Sequence, residues 1–213
     1  MLVAGYNPTE LGDVLVVMTA NGAGDQVVSQ KGQIVQIKDV KDESLLGYNF
    51  LAASEILPEL KEGVNGNVDL TDDQITKLND ALKKAGFSDE LSANPYPNFQ
   101  IGFVEKMVDH PKSDHLHITT VDLGDRKQQI VSGSPNMVEG IKVVVANVGT
   151  MMPSGSIIWP GALLGVESDG MICSGRELKI KNAPQKPGAL ILPADFGEVG
   201  EAFDFTKGNQ LFK

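Results

Sequence analysis

The only cysteine of this 213-residue chain, Cys173, lies in the segment GVESDGMICS. A thiol can act as a nucleophile when a neighbouring base or positive charge lowers its pKa. The histidines His110, His115 and His117 are the available bases. No nucleophile signature surrounds the cysteine, and packing as a small hydrophobic residue is the commoner role of a free cysteine. We therefore expect Cys173 to be buried and unreactive.

The same residues could also hold a metal ion. His115 and His117 would project from one face of a strand, and Cys173 or His110 could complete a tetrahedron. Of the histidine pairs, only His110 and His115, with four residues between them, have a spacing typical of zinc sites. Pro111 interrupts that pair. A thiol or zinc enzyme therefore stays an alternative, while the sequence predicts no metal and no cofactor.

Two glycine-rich segments, NGAGDQ and GSPNMVEG, could be taken for phosphate-binding loops. Neither has the Gly-Lys-Ser/Thr ending or a following helix that such a loop requires. The chain also lacks a Gly-x-Ser-x-Gly nucleophile motif. We therefore predict that the protein is not an enzyme.

The net charge of −10 is concentrated in the first half of the chain. Residues 1–98 carry 7 basic and 15 acidic side chains, a net charge of −8, whereas residues 99–213 carry 11 and 13, a net charge of −2. Within the second half, the run GRELKIKNAPQK supplies Arg176, Lys179, Lys181 and Lys186. Such a run can neutralise phosphates, although a solvated surface is an equally simple interpretation.

One helix is predicted over 72–85. Thr71 is its N-cap and Gln74 has the capping-box spacing, while Gly86 suits the left-handed residue that ends a helix. Strand-like segments precede it, so we expect an acidic α+β domain over residues 1–91. The proline- and asparagine-rich residues 92–99 are the predicted linker.

The second half is rich in strands. Five segments alternate with glycine turns, which favours a small closed barrel of the OB-fold type over residues 100–205, followed by a tail at 206–213. Overall we expect an α+β N-terminal domain followed by an all-β OB-fold barrel, strand-rich with one clear helix. The apolar phase changes across Thr119 and Thr120, which predicts a bulge in that strand. Lys112 falls in the loop between the first two strands, beside the usual OB binding face.

Three motifs in this half occur in a specific order: HPKSDHL at 110–116, IVSGSPN at 130–136 and GVESDGMICS at 165–174. Together they resemble the OB-fold tRNA-binding domain found at the N-terminus of the bacterial phenylalanyl-tRNA synthetase β-chain. The same domain occurs in free-standing tRNA-binding proteins. With the separate N-terminal domain, the whole chain resembles the YtpR family of bacterial tRNA-binding proteins.

The resemblance implies that specific residues contact RNA. These are Asn136, after the third strand, and the turn Ser168, Asp169, Gly170 and Met171. Glycine would let the backbone approach RNA closely, and methionine would offer a polarizable surface.

The basic residues complete the predicted RNA-binding set, with Arg176, Lys179 and Lys181 neutralising phosphates and Lys112 nearby. His115 departs from the family, in which lysine is frequent at this position. Because histidine is mostly neutral near pH 7, one phosphate-neutralising charge depends on pH.

The sequence thus predicts a cytoplasmic protein of bacterial translation that binds tRNA or another structured RNA without catalysis. A homodimer, a partner from the translation machinery and no membrane association are further expectations. The alternative is a protein-interaction module, in which the acidic domain docks a synthetase or ribosomal partner and the OB-fold supports it.

Overall fold

The structure is a computed structural model and describes residues 1–212. The chain divides into two compact units, which we call unit 1 (Met1–Pro95) and unit 2 (from Tyr96). None of the helices in the described part of the chain combines the length and the apolar character needed to cross a bilayer.

Unit 1 is built on a six-stranded antiparallel sheet in the order β3-β4-β5-β2-β1-β6. The strands are β1 Val3–Tyr6, β2 Val14–Met18, β3 Gln26–Lys31, β4 Ile34–Asp39, β5 Leu45–Leu51 and β6 Gly66–Asn67. The helices are α1 Pro8–Leu11, the short 3-10 helices Ala53–Glu55 and Pro58–Lys61, and α2 Asp72–Ala85. The sequence did not predict β1, a four-residue strand that contains a glycine and pairs with β2.

Helix α2 begins and ends where the sequence predicts. The Thr71 hydroxyl accepts the Gln74 N–H at 3.3 Å, and the Gln74 side chain accepts the Thr71 N–H at 2.9 Å. Gly86 ends the helix in the left-handed conformation with φ of 80°. Ile75, Leu78 and Leu82 are buried in the same cluster as the sheet residues, so the apolar side of the helix covers one sheet face.

Unit 2 contains a six-stranded antiparallel sheet, in which five strands follow the order β13-β10-β7-β8-β9 and β14 joins beside β10. The sheet curls into a nearly closed barrel of the OB-fold type. Its elements are β7 Phe99–Asp109, β8 His117–Asp122, β9 Lys127–Ser132, β10 Lys142–Ala146, β11 Gly161–Leu163, β12 Val166–Ser168, β13 Met171–Ile172, β14 Ile191–Leu192 and α3 Phe205–Gly208. Strands β11 and β12 form a separate hairpin, and β14 pairs with β10. Phe205 and Phe212 pack against the core of unit 2.

The bulge predicted for β8 lies in β7 instead. Consecutive residues of β8, Thr120 and Val121, pair with Lys106 and Val104, so Glu105 is the extra residue. Thr119 is fully buried, and its hydroxyl donates to the Ile130 carbonyl at 2.7 Å. A hydroxyl group that has a hydrogen-bond partner can occupy a core position. The inward-facing residues of β8 therefore keep a regular alternation through Thr119, although this residue is polar.

Candidate nucleic-acid interface

The loop between β7 and β8 is held against the β11–β12 hairpin by His110. The ring is buried, and its Nδ1 accepts the Lys112 N–H at 3.1 Å. Nε2 lies 3.2 Å from the Leu163 carbonyl oxygen, so we assign the proton to Nε2, which donates. This histidine therefore positions the loop that carries Lys112 and His115, and its ring is not free to bind a ligand.

Ser168 ends the hairpin and fixes it to the barrel. Its side chain is buried, and the hydroxyl accepts the Val131 N–H of β9 at 3.1 Å. The same hydroxyl donates to the Gly170 carbonyl at 3.4 Å. The next residue, Asp169, is exposed and donates its N–H to the Gln129 carbonyl at 3.0 Å. These bonds place the turn at the seam between β9 and β13.

Gly170 is required by the packing of the protein itself. Its φ is 136°, and a Cβ at this position would lie 2.9 Å from the Ala146 carbonyl oxygen and 3.0 Å from Nε2 of Gln128. The sequence resemblance attributes this glycine to a close approach of RNA. The structure gives a sufficient reason inside the barrel, because a side chain would collide with β10.

Met171 and Arg176 lie together at one pocket of about 260 Å³, which we call the Met171 pocket. The segment Ser132–Ser134, which begins at the last residue of β9, forms one side, and Pro187 and Gly188 also contribute. Met171 is half-buried and Arg176 is exposed. The pocket therefore places a polarizable thioether, a guanidinium and several hydroxyl and backbone groups within one concave surface.

The turn that carries Arg176 is fixed by a carboxylate. Oε2 of Glu177 accepts the Ser174 N–H at 2.8 Å and the Ser174 hydroxyl at 2.6 Å. The Ser174 hydroxyl in turn accepts the Glu177 N–H at 3.1 Å. Glu177 also lines the Met171 pocket, so this acid beside the basic residues has a local structural role.

The surface continues from the Met171 pocket in two directions. On one side, a Cβ on Gly133 would lie 3.9 Å from the His115 ring, which connects the pocket with the β7–β8 loop. On the other side, Asn136 and Lys186 line a neighbouring pocket of about 250 Å³ that shares Gly188 with the first. The amide of Asn136 accepts the Ala189 N–H at 2.7 Å and donates to the Ala189 carbonyl at 3.0 Å, which holds that segment in place.

The cations differ in what they contact. Within residues 1–212, the charged groups of Lys112, Arg176, Lys181 and Lys186 make no hydrogen bond or salt bridge. Lys179 instead donates from Nζ to the Pro153 carbonyl at 2.7 Å.

Two of the predicted basic residues lie outside the pocket surface. Neither Lys179 nor Lys181 lines either pocket, and the backbone of Lys181 is bonded to Asn209 beside α3. Arg176 and Lys186 thus lie at two adjoining pockets, and Lys112 lies on the β7–β8 loop, whose His115 approaches Gly133 of the Met171 pocket. Lys179 and Lys181 lie outside both pockets.

His115 is exposed at the edge of this surface. Its Nδ1 lies 2.9 Å from the carboxylate of Asp114, and this hydrogen bond lowers the pKa of the Asp114 carboxyl group below its ordinary value. A phosphate approaching His115 would therefore meet a neighbouring negative charge.

The thiol and metal alternatives find no support in the geometry. Cys173 is fully buried in the barrel, and desolvation by burial raises the pKa of its thiol well above the ordinary value. The rings of His115 and His117 lie beside Asp114 and Asp109 rather than beside the cysteine. No group of three or more histidine, cysteine or acidic side chains suited to a metal was found among residues 1–212.

The sequence did not predict that Ser132–Ser134 form part of the pocket. Their signal was present, because these residues lie within the motif IVSGSPN, from which only Asn136 was chosen. No sequence motif marks Pro187 and Gly188 as part of the pocket, because only the fold brings them close to Met171.

Two families match this chain. The family described as "Putative tRNA binding domain" matches residues 99–201, and the family described as "Domain of unknown function (DUF4479)" matches residues 21–94. The phenylalanine–tRNA ligase beta subunit of Porphyromonas gingivalis is 50% identical over 99 residues, which are 45% of this chain and 12% of that subunit. A MetRS related protein from Pyrococcus horikoshii aligns over 49% of this chain and 87% of its own, with a TM-score of 0.36 and 21% identity.

A relative that aligns over nearly the whole of both chains gives the family. The "Putative tRNA-binding protein YtpR" of Bacillus subtilis is 38% identical over 203 residues, which are 95% of this chain and 99% of that protein. The similarity therefore extends over both units, including the barrel that carries the Met171 pocket. The chain belongs to the family of the Bacillus subtilis protein YtpR.

Proposed function

We propose that unit 2 binds structured RNA, with tRNA as the expected ligand, and that the protein has no catalytic activity of its own. The observation that carries this proposal is the pair of adjoining pockets beside Met171, where Arg176 and Lys186 have charged groups without protein partners, together with the free charge of Lys112 on the neighbouring β7–β8 loop. This surface lies within the part of the chain that matches the tRNA-binding family. The names of the relatives support tRNA rather than another polyanion.

The chemistry of the surface favours recognition of shape and backbone. The three cations would neutralise phosphates, and the half-buried Met171 would contact a base or ribose inside the pocket. Single-stranded bases usually stack on exposed aromatic rings. Phe212 is the one aromatic side chain that lines either pocket, and it packs against the core of unit 2. Ser168 and Asn136 would act by positioning the turn and the pocket wall, because their polar groups are already bonded inside the protein. A cytoplasmic role in translation is part of the same proposal.

The proposal is tested by measuring the dissociation constant for unfractionated tRNA with the variant Lys112→Ala. Removal of one phosphate-neutralising charge is expected to weaken binding several-fold, and the double variant K112A/R176A should weaken it further. Lys41→Ala is the matched control, because Lys41 is an exposed lysine of unit 1 whose loss changes the net charge equally.

Comparison of K112A with K41A distinguishes an effect of the local surface on RNA affinity from an effect of the overall net charge. If K41A weakens binding as much as K112A, net charge rather than the pocket surface determines the affinity. If both bind like the wild type, the surface is not the RNA site. Thermal unfolding of each variant should match the wild type, because Lys112 and Lys41 are exposed.

A further inference from the structure

The sheet of unit 1 ends in an open edge. Strand β3, Gln26–Lys31, is the terminal strand, with β4 on one side and no strand of residues 1–212 on the other. All six of its residues are exposed, and the side chains of Val27 and Val28 are 50% and 60% exposed. Its outward-facing N–H and C=O groups are therefore available to a further strand.

Edge strands are usually protected against such pairing by features of their sequence or shape, and β3 lacks these protective features. Charges, prolines and bulges are the common ones. The segment Gln26–Gln30 contains no charge and no proline. All six residues of β3 pair with β4 without a bulge. The one lysine, Lys31, turns back into its own unit, where Nζ donates to the Gly86 carbonyl at 2.6 Å and lies 4.4 Å from the Phe87 ring centre.

The sequence around this edge is complementary to itself. When two copies of GDQVVSQKG are placed antiparallel about Val28, Asp25 of each copy lies opposite Lys31 of the other. In the same register Val28 faces Val28, and Gln26 faces Gln30. A two-fold axis perpendicular to an antiparallel sheet relates a residue to its own copy, so this register is allowed by symmetry.

The neighbouring symmetric registers lack this complementarity. Centred on Val27, Lys31 would face Ala23, and centred on Ser29, it would face Val27. Only the Val28 register places two pairs of opposite charge across the strands, and such pairs stabilise cross-strand contacts. The ammonium of Lys31 has three N–H donors and the Gly86 carbonyl takes one, so the others can still meet Asp25 of the second copy. The charge pattern therefore selects both the occupant and the register.

We propose that β3 pairs antiparallel with β3 of a second copy of this chain, centred on Val28, so that the two six-stranded sheets become one continuous sheet. The paired strands would cover the exposed valines and satisfy the outward-facing backbone groups of both edges. The dimer would carry two copies of unit 2. If the proposed function holds, a ligand that reaches both copies would be bound with increased avidity, but the dimer itself does not depend on RNA binding.

The register is tested by cysteine crosslinking of the full chain, combined with sedimentation equilibrium. The wild type is expected to be a dimer. Val28→Cys should form an intermolecular disulfide under mild oxidation, because directly opposed residues lie about 4.5–5.5 Å apart between Cα atoms, within disulfide range. The native Cys173 is fully buried and does not interfere.

Val27→Cys is the matched control for this experiment. Val27 is similarly exposed but would face Ser29, so the two Val27 positions would lie two residues apart along the strand, a distance of roughly 8 Å that a disulfide does not span. A wild type that stays monomeric at all attainable concentrations overturns the proposal. Equal crosslinking of V27C and V28C overturns the register.

A charge-exchange experiment tests the same contact without cysteines. Asp25→Lys and Lys31→Glu should each weaken the dimer, since like charges would then face each other twice. An equimolar mixture of D25K and K31E should restore the dimer, because each mixed pair regains both opposite-charge contacts. Circular dichroism should first show that K31E is folded, as Lys31 also contacts Gly86. A mixture no more dimeric than its two components contradicts the Val28 register.

Discussion

Several side chains of unit 2 shape the proposed RNA surface only through the backbone groups that they bind. Ser168 bridges Val131 and Gly170, and Asn136 bonds both backbone groups of Ala189. Ser168 is buried and Asn136 is exposed, but replacement of either would leave backbone groups without partners. Such a replacement would therefore change the shape of the surface rather than remove a contact with a ligand. In the proposed function, Met171 and the free cations are the groups that would contact RNA directly.

Gly170→Ala is expected to destabilise unit 2 by about 1–3 kcal/mol, because φ of 136° is strained for any L side chain and its Cβ would meet the Ala146 carbonyl. Urea unfolding followed by the fluorescence of Trp159, the only tryptophan of the chain, measures the effect within unit 2. Gly161→Ala is the control, since nothing lies within 4 Å of its Cβ position. Its change should stay within about 0.5 kcal/mol. Equal stabilities of the two variants would contradict this explanation of Gly170.

Cys173 should react with a thiol reagent only when unit 2 unfolds. Burial raises the pKa of its thiol, so the reactive thiolate is disfavoured in the folded protein even at mildly alkaline pH. The rate of labelling in native buffer, compared with that in denaturant, measures the protection. Rapid labelling of the native protein near pH 7 would contradict the buried assignment and reopen the thiol alternative.

At the scale of secondary-structure elements, capping residues and the regular spacing of apolar side chains determine where many helices and strands form. Helix α2 has both bonds of its capping box, a left-handed glycine after its last turn and one apolar side. Strand β7 shows the limit of local patterns, because the bulge at Glu105 depends on its pairing with β8. The seam of the barrel depends on the bond from Val131 to Ser168, two residues that lie far apart in the sequence.

The same substitution at two threonines, one that caps α2 and one inside it, should have different effects. Thr71→Ala removes the N-cap and is expected to cost about 1 kcal/mol of the free energy of unfolding of unit 1. Thr76 lies inside the helix and its hydroxyl donates to the Asp72 carbonyl, so Thr76→Ala should be neutral or stabilise by up to about 0.5 kcal/mol. Denaturation followed by circular dichroism compares them. Equal losses would show that the cap has no special role.

At the scale of the whole molecule, charge is divided between the parts. Residues 1–98 carry a net charge of −8 and residues 99–213 a net charge of −2, so the part that contains the proposed RNA surface is nearly balanced. A negative protein can still bind RNA when its free cations gather on one surface, because screening over about 8–10 Å weakens the repulsion from distant acids.

Affinity for tRNA should therefore fall with salt, but moderately. Three phosphate contacts, from Lys112, Arg176 and Lys186, predict a slope of about −2 to −3 in a plot of log affinity against log salt concentration. Arg176→Ala removes one phosphate contact, so it should reduce the magnitude of this slope by about 0.7–0.9. Fluorescence anisotropy over a salt series measures both. A flat dependence would contradict phosphate neutralisation by these residues.

The amino-acid sequence determined the elements whose signals are local. The helix at 72–85, the strand-rich OB-type barrel and the burial of Cys173 follow from caps, alternation and composition, which act over a few residues. The order of three motifs added the family, and the similarity to YtpR of Bacillus subtilis extends over nearly the whole chain. Thr119 shows where local patterns fail, because a polar residue with a distant partner occupies a core position.

Only the tertiary structure decided which residues share a surface. It brought Ser132–Ser134, Met171 and Arg176 to one pocket, left Lys179 and Lys181 beside it, and turned the hydroxyl of Ser168 inward. It also showed that β3 is the open edge of its sheet. The physical reason is that pairing across the barrel and the position of a strand in a sheet depend on contacts between distant residues, which no local pattern of side chains records.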